Sequence, residues 1–206
     1  MADEEIIASM QRRGIGSVKH FIDLKALPNV MVREGLWCAQ RLREWGDTFD
    51  DDRHKWGSWA KGEEFSGYIS CSINNPMGMM KRSETKRPVI IRLDPALAAR
   101  EGVLLIGKWS SFGDVALENC VTSVGAQHFE AMFEHPLSYR AIHPGEILVP
   151  EHIPISDFRQ LVFYDKADLE EAREILSTID MPTNTTLNAT VDRTPFGYTI
   201  LEEGSQ

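Results

Sequence analysis

Gly145-Glu146-Ile147-Leu148-Val149-Pro150, followed by Ile153-Pro154, is the stretch on which the reading of this chain turns. Ile147, Leu148 and Val149 make a short apolar run closed by Pro150, the pattern of a buried strand. A carboxylate that opens such a strand is poorly placed for a merely solvated charge. Its neighbours draw it toward the core, where desolvation raises a carboxyl pKa and suits the group to accepting a proton. Glu146 is therefore the first candidate for chemistry.

Outward from this segment the same short-strand pattern recurs. Residues 14–21, 68–73, 87–95 and 103–106 read as strands upstream, with Asn74-Asn75-Pro76 and Pro95 as stops. Residues 161–164 and 190–201 read as strands downstream, the last interrupted by Pro195 and Gly197. A short helix is expected at Leu27-Pro28-Asn29-Val30-Met31, where proline fits the first turn and Gly35 is placed to cap the end. Further short helices are expected around 39–45, 95–101 and 168–179, the last with Leu169, Ala172, Ile175, Leu176 and Ile179 on one side. Residues 1–13 form a polar lead-in, frayed or briefly helical. Residues 38–66 and 110–145 lack a sustained period, and excursions of that length in a small domain tend to carry function. The sum is one α+β domain over residues 1–206, with a central mixed or antiparallel β core of short strands flanked by short helices.

Composition agrees with a single globular domain: 206 residues, 42% hydrophobic and 26% charged. No apolar run approaches the length of about 18 residues that a membrane span needs. The acidic start Met1-Ala2-Asp3-Glu4-Glu5 lacks the features of a signal peptide. Cys38, Cys71 and Cys120 contain no CxxC pair and read as thiols of a reducing compartment, so the cytoplasm is the expected location. The net charge of −9 is uneven: residues 1–100 hold 16 Lys+Arg against 14 Asp+Glu, the remainder 6 against 17. A phosphate-binding face would draw mainly on the first half. Gly-rich dinucleotide and phosphate loops, the GxSxG elbow and HExxH are all absent. His128, His135 and His143 fit no zinc spacing, so no metal is expected.

Several blocks together resemble the DarT-type DNA ADP-ribosyltransferases. Arg13-Gly14-Ile15, His20-Phe21, Leu27-Pro28-Asn29-Val30-Met31 and Glu34-Gly35-Leu36 are similar to the opening of that family, which builds the first wall of an NAD⁺ site. Tyr68–Pro76 and Val89–Pro95 look like its second and third core strands, and Gly145–Pro150 with Ile153-Pro154 like the segment presenting its catalytic glutamate. The likeness runs in order over residues 12–165.

The resemblance implies a role for each matching residue. Glu146 would stabilise positive charge at the anomeric carbon and take a proton from the attacking base. His20 would hold the ribose or amide on the nicotinamide side, with Phe21 and Leu27 in the same wall and Ser70 and Ser72 lining the nicotinamide pocket. The family's cofactor-contacting arginine is one of Arg41, Arg43 or Arg53, and Arg53 lies closest to its expected place. The loop before the glutamate reads the acceptor; here it carries His128, Phe129, Tyr139, Arg140 and His143, residue types suited to base stacking and phosphate contact. The same aromatics equally suit anchoring a long loop to the core. Three departures mark the chain as divergent. Ile22 stands where the family has threonine, Ala26 where it has a helix-capping asparagine, and Cys71 and Ser72 where some members have aromatics.

The implied activity is NAD⁺-dependent ADP-ribosylation of a base in single-stranded DNA, by the toxin of a toxin–antitoxin or anti-phage system with a neutralising antitoxin. Transfer to RNA, transfer to protein, and a non-catalytic module binding NAD⁺ or nucleic acid remain the alternatives.

Overall fold

Runs of β-branched and aliphatic residues become a sheet because each strand finds a partner that shares its apolar face. The computed structural model describes residues 2–46, 65–73, 85–106, 121–122, 129–130, 146–180 and 187–196. Among these, the strands are β1 (Val18–Asp23), β2 (Gly35–Trp37), β3 (Tyr68–Ser72), β4 (Pro88–Leu93), β5 (Leu104–Ile106), β6 (Val121–Thr122), β7 (Glu146–Pro150), β8 (His152–Pro154), β9 (Phe158–Phe163) and β10 (Ala189–Val191). The helices are α1 (Ala2–Arg12), α2 (Leu27–Val32), α3 (Ala39–Glu44) and α4 (Lys166–Ser177). One eight-stranded sheet runs β10-β9-β4-β1-β3-β7-β5-β6, and β2 pairs with β8 in a separate ribbon. Every pairing is antiparallel except β10 with β9, so the expected mixed core of short strands is present.

The main core lies on one face of the sheet. Val18, Ile22, Ile69, Cys71, Val89, Ile91, Leu93, Ile147, Val149, Leu161 and Phe163 meet α1 through Ile6 and Met10, α2 through Leu27 and Met31, and α4 through Leu169 and Ala172. Among the described residues, the opposite face carries apolar clusters at its two ends. Ile90 and Val162 pack with Phe196, Phe21 and Tyr164 at one end, and Leu104 and Leu148 with Phe65 and Tyr68 at the other.

Several boundaries differ from the sequence reading for identifiable reasons. The N-terminal lead-in is not frayed: Ile6 and Met10 are fully buried, and α1 ends where Gly14 at φ +69° lets the Ile15 amide donate back to the Met10 carbonyl at 2.9 Å. Gly35 does not cap α2. Glu34 takes the left-handed turn at φ +56°, and Gly35 opens β2 against β8, where an added Cβ would lie 2.3 Å from the Ile153 carbonyl oxygen. Alanine at position 26 leaves α2 without a side-chain cap; the preceding 3-10 turn is capped instead by Asp23, whose carboxylate accepts from the Lys25 amide. Beyond residue 157, β9 begins at Phe158, and the final strand stops at Val191 before a 3-10 turn at Thr194–Phe196.

Two expected ligand contacts are core positions. Leu27 has no exposed surface and packs in the main core. Phe129 is equally enclosed in the main core, as suits an aromatic that anchors its segment. Arg53, His128, Tyr139, Arg140 and His143 lie outside the described residues.

Candidate active site

The polar middle of the second face is built by register. Because side chains alternate along a strand, Lys19, Ser70, Ser72, Arg92, Gln160 and Glu146 share that face. Gln160 lies opposite Arg92, Arg92 opposite Lys19, Lys19 opposite Ser72, and Ser72 opposite Glu146. A row of polar side chains thus crosses five adjacent strands between the two apolar patches. No sequence period announces it, since each member comes from a different strand.

Glu146 is 1% exposed although it opens β7, because Ile147 to Val149 carry the strand into the sheet between β3 and β5. Its carboxylate accepts the Ser70 hydroxyl. The Ser70 carbonyl, in turn, lies 2.7 Å from His20 Nδ1. A carbonyl only accepts, so Nδ1 carries the proton. Burial holds the His20 pKa below the usual histidine value, the Ser70 hydrogen bond opposing it. The ring is therefore neutral near pH 7, and Nε2 is left as an acceptor. Ser70 links the two candidate residues, carbonyl to His20 and hydroxyl to Glu146.

His20 reaches Ser70 because the sheet opens there. β1 follows β4 over six register pairs, and β3 follows β7 over five, but β1 and β3 meet at the single pair Lys19↔Ser72. The sheet is two ladders joined by one rung, and His20, Ser70 and Glu146 gather beside it. By strand alternation His20 shares the face of Val18 and Ile22, whereas Ser70 and Glu146 lie on the other, so the opening brings both faces together.

Ser72 lies on the same strand face as Ser70, is 1% exposed, and its hydroxyl has no hydrogen-bond partner among the described residues. Buried hydroxyls without partners are uncommon and costly. Burial, and secondarily the Arg92 guanidinium, holds Lys19 below the usual lysine range. Arg92 donates to Gln160 Oε1 at 2.8 Å and pairs with Asp192 at 3.5 Å. Burial, and then the neighbouring Glu146 carboxylate, pushes the Cys71 thiol well above its ordinary range, which makes it inert on the core side of the site.

Of the candidate arginines, two are engaged on α3 itself. Arg41 donates to Glu44 at 2.8 Å and lies 3.9 Å from Glu151, and Arg43 donates to the Ala39 carbonyl at 3.3 Å. Phe21 belongs to the apolar patch on the second face, with its ring stacked 6.0 Å from that of His20. Lys19, Arg92 and Gln160 were not singled out by sequence reasoning, and only strand order could have revealed them. No cluster of metal-binding side chains occurs among the described residues. No helix among them is long and apolar enough to cross a membrane.

Among the described residues the chain forms a central, mostly antiparallel sheet, with histidine, serine and glutamate brought together where its two ladders part. This fold is similar to that of solved DarT structures. Thermosipho africanus DarTG in complex with ADP-ribose superposes with a TM-score of 0.66 at 10% identity, covering 87% of this chain and 50% of the other, so the chain spans half of that protein. Thermus sp. 2.9 DarT in complex with ADP-ribosylated ssDNA gives 0.61 at 11% identity over 89% of this chain and 97% of that one. The same protein in complex with NAD⁺ gives 0.59 at 10% identity over 88% and 98%. No protein-family model and no curated protein matches the sequence.

Proposed function

We propose that this chain is an NAD⁺-dependent mono-ADP-ribosyltransferase that modifies a base in single-stranded DNA. The observation that carries the proposal is the Ser70 link, which sets a neutral histidine and a buried carboxylate on one residue at an opening in the sheet. The Thermus fold relatives were solved with NAD⁺ and with ADP-ribosylated ssDNA, the co-substrate and the product of such a reaction.

The residues present suit the chemistry. Nicotinamide in NAD⁺ is cationic and leaves as a neutral molecule, taking the electron pair of its bond to ribose. The positive charge moves to the anomeric carbon, and a buried carboxylate beside that carbon stabilises it more than water would. Ser70 fixes the Glu146 carboxylate for this role. A ring nitrogen or exocyclic amine of the base then supplies the pair for the new bond, and Glu146 takes the released proton. His20 Nε2 accepts from a ribose hydroxyl, and Ser72 donates its unpartnered hydroxyl to the carboxamide oxygen. Arg53 is the proposed cofactor-contacting arginine. His128, Tyr139, Arg140 and His143 are the proposed readers of an unstacked base and its phosphates.

Such a mark on a cell's own DNA is harmful. The proposal therefore includes a toxin's role in a toxin–antitoxin or anti-phage system, with a neutralising partner protein.

The test is incubation with NAD⁺ labelled in its adenylate half and separate pools of single-stranded DNA, RNA and protein. Label is expected on DNA, reduced at least about 100-fold in Glu146→Gln. Label on RNA or protein alone would overturn the acceptor. Label on none of the pools, or full activity in Glu146→Gln, would overturn the transferase reading or its carboxylate.

A further inference from the structure

Lys19 and Arg92 face each other across β1 and β4, in the middle of the polar row on the second face. Like charges directly opposite on adjacent strands destabilise a sheet, so the pair needs a counter-charge. Arg92 is held from the β9 side. Nη1 donates to Gln160 Oε1 at 2.8 Å, Gln160 Nε2 donates in turn to Thr190 Oγ1 at 3.1 Å, and Nη2 lies 3.5 Å from Asp192. Asp192 is itself fixed, since its carboxylate accepts the Thr194 amide at 2.9 Å. One carboxylate thus offsets one of two cations. Glu146, the other carboxylate of the row, lies beyond Ser72 and accepts the Ser70 hydroxyl. Two groups of the pair are left over. Arg92 Nε is buried without an acceptor among the described residues, and the half-buried Lys19 ammonium has neither a hydrogen bond nor an ion pair there.

We infer that Lys19 and Arg92 form a binding site for a phosphate group of a nucleotide. Arg92 supplies a planar donor set already fixed by Gln160 and Asp192, and Lys19 supplies a point charge on a flexible stem. A phosphate carries several acceptor oxygens and can address both cations at once. One oxygen supplies the acceptor that Nε lacks. The negative charge also compensates the burial of Lys19 and shields it from Arg92, the two causes that lower its pKa in the free protein. Neighbouring strands lie about 4.8 Å apart, so Lys19 and Arg92 stand roughly 10 and 14 Å along the row from Glu146. Two sources of phosphate suit that position: the backbone of an acceptor strand whose base lies at Glu146, and the pyrophosphate of NAD⁺. The choice of these sources rests on the transferase reading given above; the anion site itself does not.

The experiment measures binding without turnover, on the whole chain, for the native protein, Lys19→Met and Lys19→Arg. Three probes are used: a single-stranded oligonucleotide by fluorescence anisotropy between about 50 and 200 mM salt, NAD⁺ by calorimetry, and inorganic pyrophosphate by thermal shift. If the acceptor backbone is the source, Lys19→Met weakens the oligonucleotide about tenfold at the low-salt end, the worth of one charged hydrogen bond, and does so equally for different base sequences. The slope of log affinity against log salt then falls by about 0.7, one phosphate contact on a single strand, and NAD⁺ binding is unaffected. If the cofactor is the source, NAD⁺ weakens about tenfold instead. In either case Lys19→Arg keeps most of the affinity, because it keeps the charge, and pyrophosphate raises the Tm of the native protein more than that of Lys19→Met. Without ligand, Lys19→Met is expected to melt no lower than the native protein, since the substitution removes a repulsion. Unchanged affinity for both nucleotide ligands in Lys19→Met, or a Lys19→Arg protein as weak as Lys19→Met, would overturn the site. A lower Tm of free Lys19→Met would do the same, by giving the ammonium a structural partner. Should the native protein label no DNA, the transferase reading falls separately, and the anion site is then decided by pyrophosphate: equal stabilisation of native and Lys19→Met proteins removes it.

Discussion

Ser70 and Ser72 sit two residues apart on one face of β3, and the structure gives their removal opposite consequences. The Ser70 hydroxyl donates to a carboxylate that is 1% exposed, and hydrogen bonds to charged groups contribute roughly 1.5–3 kcal/mol. Ser70→Ala deletes that bond to a buried carboxylate. In a domain of this size each kcal/mol moves Tm by about 2–4 °C, so a fall of roughly 3–12 °C is expected. The Ser72 hydroxyl is buried without a partner among the described residues. Desolvating a hydroxyl without a compensating bond costs about 1–3 kcal/mol, and Ser72→Ala removes that cost while leaving a void of a single atom. After a discount for lost packing, about 1 kcal/mol is regained and Tm rises by roughly 2–4 °C. The free protein thus tightens. If that hydroxyl is kept to meet the cofactor, Ser72→Ala also weakens NAD⁺ by about 2- to 10-fold, the value of one neutral hydrogen bond. Differential scanning fluorimetry with and without NAD⁺ reads both effects, because a ligand that binds only the folded state raises Tm by an amount that grows with the logarithm of its affinity. Equal destabilisation by the two substitutions would refute the reasoning, since it would mean that Ser72 has a partner as strong as Glu146. A Ser72→Ala protein that is more stable yet binds NAD⁺ normally would remove Ser72 from the cofactor site.

Two further outcomes concern stability. Gly35→Ala is expected to cost about 3 kcal/mol or more, because φ is +152° and the new Cβ would meet the Ile153 carbonyl oxygen at 2.3 Å and His152 Nε2 at 2.5 Å. Gly14→Ala, at φ +69° with no atom within 4 Å, should cost only about 1 kcal/mol; equal urea midpoints for the two variants would contradict the close approach of β2 and β8. In acid, two sets of groups act in separate windows. Burial lowers the pKa of both His20 and His152, so both fold neutral. Below the unfolded histidine value of about 6.5 the unfolded chain takes up protons that the fold refuses, and stability falls. The Glu130 carboxyl, depressed by hydrogen bonds from Ser9 and then Arg13, contributes above its unfolded value of about 4.5, and that contribution drains away as pH drops toward about 2. Thermal melts from pH 8 to 2 should show two descending steps, the upper one reduced in His20→Gln and the lower one in Glu130→Gln; a flat profile from pH 7 to 5 would contradict the buried neutral histidines.

Much of the fold was legible because its signals are local. An apolar run with a proline at its end gave β7, and Leu27-Pro28 with Val30 and Met31 gave α2. The spacing of Leu169 and Ala172 gave α4, although Asp165, whose carboxylate accepts from the Asp168 amide, starts that helix earlier than the apolar period does. The ribbon of β2 and β8 was not legible: three-residue strands carry no period, and what makes them strands is the partner each finds across 118 residues at Gly35↔Pro154. Of the candidate site, Glu146 drew notice as a carboxylate on an apolar strand, and His20 through family likeness. Phe129 was open to two readings, because an aromatic that anchors a loop and one that stacks on a base are the same residue in a sequence; the structure encloses it in the core. Lys19, Arg92 and Gln160 depend on strand order, which is a property of the whole chain.

An ordinary sheet leaves bare amide and carbonyl groups only on its two outermost strands. In this protein β1 and β3 lie in mid-sheet and yet share one rung, so each has a stretch of rim inside the structure. A rim of that kind invites an intruding strand to zip along it. The imidazole of His20 forestalls that by occupying the Ser70 carbonyl, the group an incoming amide would seek first. A side chain takes the place of a backbone rung.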